Sequence, residues 1–132
     1  ERSRGLGDVY KRQALYHGNY FHLFEIARDD FWRSIGFPYS RIMEGRMHLT
    51  IVESHCRYRK PLYYDEEVQI TTSVNKIGSR SIILHQEIIR PEKEELCTEA
   101  TINMVCVTFE GKPTLLPDDF KRLLKNWIMG QE

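Results

Sequence analysis

The longest stretch of helical periodicity lies between Tyr20 and Ile35. Its apolar side chains recur every three or four residues and so form one stripe of an α-helix. They are Tyr20, Phe24, Ala27, Phe31 and Ile35, flanked by Leu23 and Ile26. Asn19 suits the N-cap and Gly36 suits the position just after the helix. This stripe is too apolar for a helix that stands alone in water, so we predict that a sheet covers it.

The other periodic segments predict four strands and a short second helix. Residues 49–59 are rich in β-branched and aromatic side chains, and residues 68–74 alternate between apolar and polar. Residues 82–90 follow a turn that contains glycine, and residues 100–109 alternate again. Apolar side chains spaced as in an amphipathic helix occur within residues 117–127. Helices segregated from an antiparallel sheet predict an α+β domain.

The first thirteen residues have no apolar periodicity. Residues 8–13 resemble one reading frame of a transposon adapter used in sequencing libraries; the alternative is a natural flexible N-terminus. We interpret residues 1–13 as a non-native, adapter-derived segment and residues 14–132 as the single domain. Residues 1 to about 12 are therefore expected to pack poorly, with the first strand of the domain lost or replaced.

Composition narrows the possible functions. The 132 residues suit one domain, and 19 basic residues balance 19 acidic ones, so charge gives no reason to expect nucleic acid as a partner. No apolar run approaches the roughly 20 residues that span a bilayer. Three widely spaced cysteines without a CxxC pair do not predict a disulfide scaffold or a zinc site. We expect a reducing, cytoplasmic setting and no metal.

Short motifs in a fixed order carry a family resemblance. The first is Tyr16-His17-Gly18-Asn19-Tyr20, and the others lie at residues 24–28, 52–58, 61–66, 78–81, 111–113 and 116–117. Together they resemble the hotdog thioesterases of the 4-hydroxybenzoyl-CoA thioesterase type, and most closely the bacterial acyl-CoA thioesterase branch associated with the Tol-Pal gene cluster. The resemblance covers residues 14 to about 127.

The resemblance implies a hotdog fold, in which a curved antiparallel sheet wraps a long central helix. It also implies a homodimer with a continuous sheet and active sites at the subunit interface, often paired again into a homotetramer. The implied reaction is hydrolysis of acyl-CoA to a free acid and CoA, without metal or organic cofactor.

One departure from the family concerns the catalytic carboxylate. The resemblance places this Asp six residues before the tyrosine of the first motif, at the end of the first strand. That position here is Tyr10, and Asp8 lies two residues earlier. A tyrosine is mostly protonated at neutral pH and is a poor base. We therefore expect this chain to bind acyl-CoA weakly and to hydrolyse it far more slowly than a form with a native-like first strand and Asp at position 10.

The catalytic region implied by the resemblance is the helix start around Tyr16, His17 and Gly18. The N–H groups and positive dipole end of a helix suit a thioester oxygen that gains charge. We favour substrate contact over a base role for His17, since a histidine at a helix start is often a capping or packing residue. Asn19 is expected to cap the helix; orienting the acyl group is the alternative.

The resemblance also implies that a turn near residue 79 grips the CoA phosphates, through Lys76, Ser79, Arg80 and Ser81. A solvated hairpin with scattered charge is the alternative. A second basic strip, formed by Arg57, Arg59 and Lys60, suits either the nucleotide or a soluble edge strand.

Three acidic residues, together with one histidine, favour structural roles. Glu53 and His55 lie on one face of a strand and favour a structural polar pair. Asp65 and Glu66 are typical of solvated turn residues.

Two other functions compete with hydrolysis. One is a non-catalytic module that binds an acyl thioester or acyl-carrier protein; an Asp six residues before Tyr16 in the natural gene would argue against it. The other is a dehydratase or hydratase of the same fold, which needs a histidine with an acidic or polar partner on the central helix. His22 is the candidate for that role, and it lacks such a signature.

Overall fold

The computed structural model describes residues 9–128 and contains one five-stranded antiparallel sheet in the order β1-β3-β4-β5-β2. The strands are β1 (Tyr10–Leu15), β2 (Met47–Tyr58), β3 (Glu67–Ile77), β4 (Ser81–Arg90) and β5 (Glu95–Thr108). The helices are α1 (Tyr20–Ser34), α2 (Tyr39–Glu44) and α3 (Asp118–Leu124). This α+β architecture confirms the predicted fold class.

Helix α1 begins where the sequence predicts. The Asn19 side chain accepts a hydrogen bond from the His22 N–H at 3.1 Å, and Phe24, Ala27 and Phe31 are buried. The helix packs against β1 and β3. It is also fastened to β4, because the buried Gln86 side chain donates to the Phe24 carbonyl oxygen at 3.1 Å. The apolar stripe is therefore covered by the sheet, as predicted.

Strand β1 corrects one prediction. Residues 10–12 do not pack poorly: they belong to β1, which pairs with β3 from Tyr10↔Thr72 to Leu15↔Glu67. The inward positions are Tyr10, Arg12 and Ala14. Arg12 is tolerated there because its guanidinium lies 2.9 Å from Asp30 of α1. A first strand is thus not lost in this chain, and residues 10–13 of the segment interpreted as adapter-derived form part of it. Residues 1–8 lie outside the described residues, and the adapter origin of residues 1–13 stays a prediction.

The hairpin layout defines two ends of the sheet. At one end, β1 finishes and β3 starts, next to the beginning of α1. We call this the helix-start end. At the other end lies the turn between β3 and β4, residues 78–80, which we call the far turn. Because β3 has 11 residues, the two ends are separated by about 30 Å at the usual rise per strand residue.

Strand β2 lies at the edge of the sheet and is unusually exposed. Residues 50–55 are exposed on both faces, including Ile51 (44%) and Val52 (56%). Soluble proteins rarely leave a long apolar edge strand open, because its free N–H and C=O groups pair with other chains. Strand β2 therefore presents an open edge of the sheet.

Two further expectations concern the cysteines and the membrane. Cys56, Cys97 and Cys106 are free thiols, and burial raises the pKa of Cys97 and Cys106. Cys97 and Cys106 are buried and behave as small apolar side chains, whereas Cys56 is only partly buried. Within residues 9–128, no helix is long and apolar enough to cross a membrane.

Candidate active site

The start of α1 presents unpaired backbone donors. The His22 and Leu23 N–H groups are used by the Asn19 side chain and the Asn19 carbonyl oxygen. Among the described residues, no hydrogen bond uses the N–H groups of Tyr20 and Phe21, as expected for the first turn of a helix. These donors and the helix dipole favour a developing negative charge. Gly18 turns the chain into the helix with φ +88°, a conformation that favours glycine.

His17 lies beside the loop that connects β2 to β3. Its Nδ1 atom is 3.6 Å from Oδ1 of Asp65, and its ring meets the Tyr64 ring edge-on at a centroid distance of 5.3 Å. The sequence predicts Asp65 to be a solvated turn residue, and its side chain is indeed 66% exposed. The contact with His17 joins positions 48 apart in the chain, so no local pattern indicates it.

Two backbone hydrogen bonds hold these loops together. The Tyr16 N–H donates to the Glu66 carbonyl oxygen at 2.9 Å, and the Asp65 N–H donates to the Tyr16 carbonyl oxygen at 2.7 Å. Asp65 itself adopts φ +66°, which non-glycine residues rarely do. The backbone position of Asp65 beside Tyr16 is therefore fixed.

An ion-pair network anchors the same loop to the sheet. Arg90 of β4 bonds to Glu66, to Glu95 at 2.6 Å and to the Pro61 carbonyl oxygen at 2.9 Å. The hydrogen bond from Arg90 lowers the pKa of Glu66 and of Glu95, and the Glu66 bond raises the pKa of Arg90. Contrary to the sequence prediction, Glu66 is not a solvated turn residue, because this network holds it.

Aromatic rings surround the helix start. The Tyr16 and Tyr20 ring centroids are 5.3 Å apart, and those of Tyr20 and Tyr58 are 4.9 Å apart. Tyr63 and Tyr64 are exposed nearby in the loop before β3. The site can thus offer apolar and π surface to an acyl group next to polar backbone donors.

Tyr10 is remote from this site. Its hydroxyl donates to Asp30 at 3.2 Å, and its ring packs against Phe31 and Trp127 at centroid distances of 6.1 and 6.4 Å. Burial, with a smaller contribution from Asp30, raises the pKa of Tyr10. Phe31 follows Tyr20 by 11 residues of α1, which is about 16 Å along a helix. The structure therefore does not bring Tyr10 to the helix start.

The residues predicted to grip CoA lie at the far turn. The turn is closed by a hydrogen bond from the Gly78 N–H to the Ser81 carbonyl oxygen at 2.8 Å, and the Ser79 carbonyl oxygen accepts from Leu116. Lys76 and Arg80 are exposed. A cleft of about 520 Å³ opens beside the turn and is also lined by Lys121 and Lys125, which sequence reasoning missed. The predicted site residues thus form two groups at opposite ends of the sheet.

Four of the other polar groups singled out in the sequence are engaged in pairs. Arg59 and Lys60 lie 2.5 Å from Glu99 and 3.6 Å from Glu95, respectively. Glu53 and His55 approach to 2.9 Å, as predicted for a structural pair. These contacts favour the soluble edge strand over a nucleotide site for the basic strip.

Among residues 9–128, one group of side chains has metal-ligand chemistry. His85, Glu87 and Glu99 place one possible ligand atom each within 4.8 Å of one another. His85 Nε2 lies 3.0 Å from Glu87, and Arg59 pairs with Glu99. Glu87 and Glu99 are therefore each engaged with a neighbouring side chain. The metal-free site stays a prediction.

Sequence and structure comparisons place these observations among known proteins. The profile of the family described as "Thioesterase-like superfamily" matches residues 8–124. An Aquifex aeolicus protein named "Putative esterase" is 30% identical over 85% of this chain and 85% of its own length. Haemophilus influenzae acyl-CoA thioesterase YbgC is 25% identical over 82% and 79%. A solved DHNA-CoA thioesterase from Staphylococcus aureus superposes with a TM-score of 0.75 at 26% identity, covering 91% and 87%.

Proposed function

The chain belongs to the thioesterase-like superfamily, and from this we propose that it hydrolyses acyl-CoA thioesters to a free acid and CoA. The observation that carries the proposal is the helix start, where unpaired N–H groups, Gly18 and His17 lie next to the paired rings of Tyr16 and Tyr20. We also infer, from the ordered motifs, a place in the 4-hydroxybenzoyl-CoA thioesterase type and its Tol-Pal-associated branch. The names of the relatives support acyl-CoA as the substrate class.

The chemistry of the helix start suits thioester hydrolysis. As water attacks the carbonyl carbon, negative charge develops on the carbonyl oxygen, and preorganised N–H donors stabilise it. The N–H groups of Tyr20 and Phe21 supply such donors at the positive end of α1. The Tyr16, Tyr20 and Tyr58 rings offer a surface for an aromatic or short aliphatic acyl group. No metal or organic cofactor is required for this step.

The complete site requires two copies of the chain. The far turn with Lys76, Ser79, Arg80 and Ser81 lies about 30 Å from His17 in one protomer. If the exposed edge strands β2 of two copies pair antiparallel around a two-fold axis, the far turn of one copy comes beside the helix start of the other. We therefore propose a homodimer with a continuous sheet; pairing of dimers into a tetramer follows only from the resemblance.

Subunit mixing tests the shared site. His17→Gln and Arg80→Glu each impair a different half of the site. In a random mixture about half of the dimers are mixed, and each mixed dimer has one intact site, so about one quarter of the wild-type sites return. Activity above that of either variant alone is expected. A mixture no more active than the variants, with mixed dimers present by mass spectrometry, would contradict the shared site.

A non-catalytic acyl-thioester-binding module is the second candidate. It is favoured by Tyr10, which stands at the family's carboxylate position and is engaged with Asp30 away from the helix start. The two functions are separated by measuring binding and turnover on the same protein. Acetyl-CoA and benzoyl-CoA are incubated with the chain, and released CoA thiol is followed with a colorimetric thiol reagent. Release above the buffer rate is expected; tight binding without release would favour the module.

A further inference from the structure

We propose that His17 and Asp65 act as a pair in this chain: Asp65 orients the imidazole, and His17 serves as the general base for thioester hydrolysis. The inference rests on the proposed function. It assigns the proton-accepting step to two residues that lie together at the helix start, in place of the carboxylate that is missing at position 10.

The geometry selects the roles of the two ring nitrogens. Nδ1 of His17 faces Oδ1 of Asp65 at 3.6 Å, so a proton on Nδ1 points at the carboxylate. The lone pair of the neutral ring is then on Nε2, which is directed away from Asp65. In catalytic histidines that a carboxylate orients, Nδ1 likewise carries the proton toward the carboxylate and Nε2 accepts the proton of the reaction. Contacts of this kind are often long in the empty enzyme and tighten when substrate binds.

The surroundings keep the pair in place while leaving it open to substrate. The backbone bonds between Tyr16 and residues 65–66 fix both loops, and the Tyr64 ring stands against the imidazole. Asp65 adopts φ +66°, a rare backbone conformation of the kind that recurs at functional sites. The His17 side chain is 55% exposed and the Asp65 side chain 66%, so both can reach a bound thioester or water.

Glu66, the neighbouring carboxylate of the same loop, is committed to Arg90. The groups that face His17 are Tyr64 and Asp65 from the β2–β3 loop, with Tyr16 next to it in the chain. Within residues 9–128, Asp65 is the carboxylate paired with His17.

The step balances as follows. His17 Nε2 accepts a proton from water while the water oxygen bonds to the thioester carbonyl carbon, and the C=O electron pair moves to the oxygen. The N–H groups of the helix start hold that oxyanion. When the C=O bond re-forms, the C–S bond breaks, and the imidazolium returns the proton to the CoA sulfur. The products are a carboxylic acid and CoA thiol, and His17 is neutral again.

Four variants test the pair by steady-state hydrolysis of acetyl-CoA. His17→Gln removes the base and is expected to lower kcat by about 10²-fold or more, with little change in KM. Asp65→Asn keeps the shape and tolerates positive φ, and is expected to lower kcat about tenfold. His22→Gln and Glu92→Gln are matched controls at exposed positions, and both should retain wild-type rates.

The split between kcat and KM and the double variant separate catalysis from structure. In Asp65→Asn, the loss should fall on kcat with KM unchanged, because the imidazole is no longer oriented for proton transfer while the substrate contacts remain. The double variant should be no slower than His17→Gln alone, since residues that act as a unit are not additive. A purely structural Asp65 would instead raise KM and lower the urea midpoint of the protein, and its loss would multiply with that of His17→Gln.

The outcomes distinguish this inference from the proposed function. If the wild-type chain releases no CoA above the buffer rate, both fail. If it is active and His17→Gln is equally active, only the His17–Asp65 assignment is overturned. It is also overturned if the losses of the two single variants multiply in the double variant.

Discussion

The Tyr10→Asp substitution tests whether the family's carboxylate position can be restored by one change. From the sequence alone, Asp at position 10 with a native-like first strand is expected to accelerate hydrolysis. The structure leads to a different prediction for the single substitution in this chain. Tyr10 lies at the start of β1, bonded to Asp30 and packed against Phe31 and Trp127. A carboxylate there would face Asp30 and would not reach His17.

The loss of stability follows from these contacts. A hydrogen bond to a charged group contributes about 1.5–3 kcal/mol when buried, and each aromatic pair about 0.5–1.5 kcal/mol. Because Tyr10 is half-buried, we take the lower part of each range and expect a loss of about 2–4 kcal/mol. Tyr10→Phe keeps the ring contacts, and Asp30 retains Arg12 and Arg33. That control should therefore lose only the hydrogen bond, about 1.5 kcal/mol.

The assay combines urea unfolding with acetyl-CoA hydrolysis at a temperature where both variants are folded. Tyr10→Asp should unfold at a clearly lower urea concentration than Tyr10→Phe, and neither should exceed the wild-type kcat. A Tyr10→Asp protein that is as stable as the wild type and at least tenfold faster would refute the placement of β1. It would show instead that the residue at position 10 reaches the site.

Three further predictions concern the loop anchor, the core and the edge strand. Glu66→Gln should lose about 1–3 kcal/mol of unfolding free energy at pH 7. Because Arg90 lowers the pKa of Glu66 from 4.5, this loss should shrink as the pH falls below about 4.5 and Glu66 is protonated. A urea-unfolding difference that is the same at pH 7 and pH 3 would contradict it. Gln86→Leu should cost about 2–4 kcal/mol, since a fully buried amide bonds Phe24; an unchanged unfolding midpoint would argue against this role. Val52→Lys should sediment as a monomer and lose most activity, and a fully active dimer would exclude β2 as the interface.

Much of the fold can be predicted because its signals are local. Helix α1 has an uninterrupted apolar stripe between Asn19 and Gly36, and both its start and its buried face are where the pattern indicates. Strand β1 could not be predicted in this way. Its inward position 12 is an arginine, and the partner that neutralises it, Asp30, is supplied by α1. Arg12 thus stands where the strand pattern requires an apolar side chain, and only the tertiary contact with Asp30 makes it acceptable there.

In the candidate site, too, local features can be predicted from the sequence and long-range contacts cannot. The helix start is visible in the sequence because a cap, a glycine and a motif lie within five residues. The approach of Asp65 to His17 depends on how the β2–β3 loop is fastened to Tyr16 and to Arg90. The separation of the far turn from the helix start depends on strand length and order. Neither follows from spacing along the chain.

The central claim is that water adds to the acyl carbon of an acyl-CoA held by this chain. The most direct measurement is hydrolysis of benzoyl-CoA in ¹⁸O-labelled water, with mass spectrometry of the acid and thiol assay of CoA. The account predicts one ¹⁸O atom in each molecule of released benzoic acid and an equal amount of CoA thiol, at a rate well above that of buffer. Recovery of intact benzoyl-CoA from a folded chain that binds it would contradict the account and identify a binding module.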